Sequence, residues 1–143
     1  MTTSARETIM AGLMDELWKI EGVTLVDRNL RRMAALSQFP AIFVVDLGDE
    51  VVRRVRARPP EYERKWTLGV ASIVQGTTED SAASELDTHQ VLVKIAMYAA
   101  GDAIRVGINE LLTEQVTYPD LGNNVVAQGI QFEVVYVDRV DSD

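Results

Sequence analysis

The chain has 143 residues, 47% of them hydrophobic and 25% charged, with no Cys and a formal net charge of -8. That length and composition suit one domain with a real core, and the lack of Cys removes disulfides, thiolate metal sites and Cys nucleophiles. The acidic balance disfavours a nucleic-acid-binding domain held by a general basic field, and no apolar run approaches the roughly 18 residues that span a bilayer. The polar start through Ser4 and Glu7 lacks the pattern of a signal peptide, so the expectation is a soluble domain at work in a cytoplasm.

Ser4 and Glu7 have the spacing of a capping box. Ile9, Met10, Leu13, Met14, Leu17 and Trp18 then recur at three- and four-residue intervals, which predicts an amphipathic helix over 5–20, stopped by Gly22. Val23, Leu25 and Val26 lead into a mixed stretch through Leu36 that carries Arg28, Arg31 and Arg32. After Pro40, the run Ala41-Ile42-Phe43-Val44-Val45 reads as a short strand covered on both faces. From Asp46 to Pro60 an acidic turn gives way to Arg53, Arg54, Arg56, Arg58 and Pro59-Pro60, and this segment is expected to be a long loop or a mobile hairpin tip.

Alternation resumes from Tyr62, with Trp66, Leu68, Val70 and Val74 on one face and Lys65, Thr67, Ala71 and Ile73 on the other, predicting a long strand over 62–75. Thr78 or Asp80 caps a second helix whose buried face is Ala82, Leu86, Val93, Ala96, Met97 and Ala100, with Gly101 as its stop. Asp102 then caps a shorter helix through Ile104, Ile108, Leu111 and Leu112, and Thr117 to Asn124 is turn chemistry. Ile130, Phe132, Val134 and Tyr136 alternate with Gln131, Glu133, Val135 and Val137, which predicts a last strand over about 128–138, followed by a polar tail. The expected fold is one α+β domain, a mostly antiparallel sheet with an N-terminal amphipathic helix and a long central helix packed on it. The expected sheet core is Ile42, Val44, Leu68, Val70, Ile130, Phe132 and Val134 under Leu13, Leu17 and Leu86.

The search for chemistry predicts no catalytic, cofactor or metal residue. The only histidine, His89, has no nucleophile elbow near it and reads as a structural side chain, on the surface or partly buried. Asp46, Asp49 and Glu50 cluster without the spacing of a calcium loop, and the glycines form no phosphate cradle. Met10, Met14 and Met33 with Trp18 read as core packing. Charge segregation stands out: residues 53–65 hold six basic side chains against two acidic ones, a local balance of +4 in a chain of -8, which leaves -12 on the remainder. Such segregation suits a contact between copies, with Arg53, Arg54, Arg56 and Arg58 reaching Asp46, Asp49, Glu50 or the helix acids of a neighbour. A solvated loop and a phosphate-contacting loop are the other readings of the same residues.

The N-terminal helix, the Phe39-Pro40-Ala41-Ile42-Phe43-Val44 strand, the Gly48-Asp49-Glu50 turn with its charged loop, the Trp66-to-Val74 strand, the Thr78-to-Ala100 helix and the closing Gly129-to-Tyr136 strand resemble the tail terminator, or tail-completion, proteins of long-tailed bacteriophages. The similarity covers most of the chain and lies in element order, length and local strings. It implies a subunit of a homo-oligomeric ring, typically six-fold, at the head-proximal end of the tail tube. Such a ring ends tube growth and offers the surface for head-tail joining. The implied partners are further copies of the chain, the tail tube protein and a connector or neck protein, with no membrane, and with DNA met only in the ring lumen. The implied setting is the virion, after assembly in the host cytoplasm. The alternatives are a neck or head-tail adaptor protein, or a small-molecule or peptide-binding module. The resemblance also implies loops at 46–60 and 113–128 that order against neighbouring subunits.

Overall fold

The computed structural model of the chain describes residues 4–28, 37–115 and 124–139. Helix α1 (Ala5–Trp18) starts where Ser4 Oγ accepts the backbone N–H of Glu7 at 3.1 Å. Only half of the expected capping box forms, because the Glu7 carboxylate accepts Arg28 Nη1 instead, at 3.0 Å to each oxygen. The helix ends at Trp18, earlier than expected, in a turn where Gly22 takes φ +86°. Ile9, Met10, Leu13 and Leu17 are buried, whereas Trp18 stands exposed, correcting its placement in the core. At 100° per residue it lies opposite Ile9 on the helix, away from the buried stripe.

A five-stranded sheet follows, with strands β1 (Leu25–Asp27), β2 (Ala41–Ala57), β3 (Pro60–Gln75), β4 (Gly107–Gln115) and β5 (Val125–Arg139) in the order β1-β2-β3-β5-β4. Every pairing is antiparallel except β1 with β2. Helix α2 (Glu79–Ile104) is capped at Thr78 by a full capping box with Ser81. The protein is thus an α+β domain with a mostly antiparallel sheet, a short N-terminal helix and a long central one.

Both helices cover one face of the sheet. Cross-strand rows such as Val44–Val70–Ile130 and Leu68–Phe132 place their side chains under Leu13, Leu17, Val93 and Met97, all at most 1% exposed. The expected core residues are all buried, although Leu86 lies outside the cluster that the others form. A second, smaller cluster of Ala41, Phe43, Ala71, Ile73 and Val125 forms on the opposite face, the two-sided burial foreseen for the strand at Ala41.

Three expectations about elements are corrected. The segment expected as a long loop or a mobile hairpin tip at 46–60 is a hairpin, and nearly all of it is β-ladder: β2 continues to Ala57, turns at Arg58 and Pro59, and returns from Pro60. Branched Val51, Val52 and Val55 favour extended backbone, and Arg53–Glu63 and Arg56–Glu61 form cross-strand pairs on it. Second, α2 runs through Gly101, which does not stop it; the cap is Arg105 in the left-handed region. Gly101 serves close approach instead, since a Cβ there would lie 2.5 Å from Ile108 Cγ1. Third, the expected short helix from Asp102 is the end of α2 followed by strand β4, which folds back through Arg105 and Val106 and has a bulge between Glu110 and Leu112. Expectations for 29–36, for the turn at 117–123 and for the tail beyond 139 lie outside the described residues, and of the second expected loop 113–115 is strand β4 and 125–128 strand β5.

Candidate functional site

The long β2–β3 hairpin forms an arm, and a cluster of charged side chains gathers at its root. A bulge between Asp46 and Gly48, with Gly48 at φ +132°, lets Asp46 turn toward the helical face. Asp46 Oδ1 accepts Trp66 Nε1 and the Gly48 backbone N–H, each at 3.0 Å, while Oδ2 accepts Arg6 Nη2. The Arg6 guanidinium lies 4.5 Å above the Trp66 ring, so one cation binds both an anion and an aromatic face. Burial pushes the Asp46 carboxyl up, but the hydrogen bonds from Trp66 and Gly48 and the charge of Arg6 outweigh it and hold the group below its usual value.

Asp49 sits deeper. It accepts the Tyr136 hydroxyl and lies 3.7 Å from Arg6 Nε and 3.8 Å from Arg64 Nη1, and Arg64 Nε lies 3.4 Å from Asp138. Burial first, then the hydrogen bond to Asp49 and its negative charge, push the Tyr136 hydroxyl well above the usual phenol value. The phenol is therefore a fixed donor. Tyr136 also meets Trp66 edge to face at 6.3 Å between centroids. Together these residues tie α1, β2, β3 and β5 at one point, and so fix the direction in which the arm leaves the domain.

Beyond the root the arm is open to solvent. Arg53 Nε meets Glu63 at 2.9 Å, Arg56 lies 4.0 Å from Glu61, Arg54 stacks over Tyr62 at 5.7 Å, and Arg58 stands exposed at the tip. Val51, Val52 and Val55 are exposed between these arginines. The sequence-predicted interface set thus divides in two. Asp46 and Asp49 have intrachain partners at the root, whereas Glu50 and the four arginines line the exposed arm.

Sequence reasoning did not single out Arg6, Arg64, Trp66 or Tyr136 as partners of these acids. Tyr136 carries a readable signal, a hydroxyl at an inward position of a clean apolar alternation; a buried phenol seeks an acceptor.

His89 is more enclosed than a surface residue, at 5% exposure, and burial pushes its pKa down. It lines an open cleft of about 640 Å³ between α2 and the Phe39–Pro40 turn, beside Ser81, Ser84 and Thr88. Neither ring nitrogen has a hydrogen-bond partner, and among the described residues no three His, Asp or Glu side chains gather in a way that could hold a metal. No described helix is long and apolar enough to cross a membrane. No protein-family model matches the chain, and no curated protein sequence matches it.

Proposed function

We propose that this chain is a structural subunit of a tailed bacteriophage, a tail terminator that forms a ring at the head-proximal end of the tail tube, stops tube polymerisation and supplies the surface on which the head docks. The observation that carries this reading is the arm, a β2–β3 hairpin flanked by β5 on one side only, which exposes Val51, Val52 and Val55 among four arginines and is braced at its root by a part-buried polar cluster. A single subunit gains nothing from holding apolar side chains in water on so rigidly aimed a projection, whereas a ring buries them at every interface. Support also comes from the α+β architecture with both helices on one sheet face. The partners that follow are further copies of the chain, the tail tube protein, and a connector or neck protein on the head side.

The test replaces Arg53, Arg54, Arg56 and Arg58 together by Ser. Exposed ion pairs contribute about 0.2–1 kcal/mol each, so subunit melting should barely move, while rings seen by electron microscopy and finished tails should be lost. Ring formation by the unmodified chain should also weaken as salt rises. A substituted protein that still ends tails at normal length would overturn the reading of the arm. A chain that forms no ring and caps no tube would overturn the function.

A further inference from the structure

The outward face of α2 carries a second exposed apolar surface, and its sequence order is regular. Asp80, Ser84, Asp87, Val91, Ile95, Tyr98 and Asp102 follow at three- and four-residue steps, fall on one line of the helix, and are all exposed. The centre of this stripe is apolar, with Ile95 61% exposed and Val91 55%, and its ends are acidic. Tyr98 is held upright by edge contact with Phe132 and by accepting the Glu110 backbone N–H at 3.2 Å. The neighbouring Lys94 is tied to Glu110 at 3.1 Å, so its charge is compensated. The buried positions of α2 already face the core, which leaves Val91 and Ile95 at the centre of this stripe exposed.

We infer that the arm of one copy docks on this α2 stripe of the next copy. The inference rests on the ring reading and assigns its interface. The two surfaces match in chemistry: Val51, Val52 and Val55 with Arg54 and Arg58 on one side, Val91, Ile95 and Tyr98 between Asp87 and Asp102 on the other. They match in length, since Val51 to Ala57 spans about 20 Å at roughly 3.3 Å per strand residue and Asp87 to Asp102 about 22 Å at 1.5 Å per helix residue. Like surfaces cannot mate, because arm on arm opposes arginines and stripe on stripe opposes aspartates. The contact is therefore heterologous, the kind that closes a ring where its rotation divides a full turn, as the ring reading requires. Strand addition to the arm's outer edge is blocked by bulges at Val52 and Val55 and by the arginines, which leaves the arm's faces rather than its edge for a partner.

The absence of Cys makes the test clean. Val55→Cys and Ile95→Cys chains are prepared separately, mixed at high concentration, and treated with a short bis-maleimide. The mixture should give a covalent dimer at least ten-fold above either variant alone, and a chain carrying both changes should give a ladder. Asp87→Arg with Asp102→Arg in the Ile95→Cys chain should lower the mixed yield at least ten-fold with melting unchanged. Rings that form while the mixed pair stays uncrosslinked, or equal dimer from either single variant, would overturn this contact and leave the ring reading standing. No assembly in any mixture would overturn both.

Discussion

Asp46→Ala separates a positioning acid from the solvated acids beside it. Trp66 is 1% exposed and its Nε1–H loses its acceptor, which costs about 1–3 kcal/mol for a stranded buried donor. Loss of the half-exposed Arg6 pair adds about 0.2–1 kcal/mol, and the exposed Gly48 N–H finds water at little cost. The expected loss is about 1–4 kcal/mol, or roughly 3–15 °C in Tm for a domain of this size. Glu50→Ala, an exposed acid four residues on, should stay within about 0.5 kcal/mol. Urea titrations followed by Trp fluorescence and far-UV dichroism read both variants. The Asp46 carboxyl has a lowered pKa in the fold, so its contribution is present above the unfolded value near 3.9 and is lost as pH falls through the folded one. The variant should accordingly lose part of the wild-type acid sensitivity below about pH 4. Equal and small effects at positions 46 and 50 would show that the root cluster does not brace the arm.

Phe132→Ala, at a fully buried site in the central row, should cost about 3–5 kcal/mol in denaturant titrations, and a loss under about 0.5 kcal/mol would contradict the strand register. Gly101→Ala places a methyl against Ile108 and should destabilise by about 1–3 kcal/mol in the same assay. Ser72→Ala removes a buried hydroxyl that has no partner, so Tm should hold or rise. His89 has a lowered pKa in the fold, so its contribution is full above the unfolded value near 6.5 and falls away as pH drops below it. His89→Gln should flatten the stability profile as pH falls below about 6.5.

Periodicity alone conveyed much of this fold. The sheet core from Ile42 to Val134 and the buried face of α2 follow from spacing, because one-sided burial writes a period of two or 3.6 into the chain. The arm was read as a long loop or a mobile hairpin tip because arginine density suggests solvated coil, while the cross-strand pairing of Arg53 with Glu63, which belongs to its ladder, is set by tertiary register. Strand β4 was read as helix because Ile104, Ile108, Leu111 and Leu112 keep helical spacing across a bulge and a left-handed cap. The root of the candidate site brings Arg6 to Asp46 across forty positions and Tyr136 to Asp49 across eighty-seven, separations that local patterns do not encode. The exposed stripe on α2 was not singled out from the sequence, although its signal is there: Val91, Ile95 and Tyr98 make that helix apolar on two sides, and only one side can face its own sheet.

The central claim is a place in an assembly, so the most direct measurement is the position of this subunit in a reconstructed tailed particle. The account predicts a single ring of this chain where the tail tube meets the head, with each arm lying on the α2 helix of its neighbour. Density for the subunit along the whole tube, at the distal tip, or nowhere in the particle would contradict it.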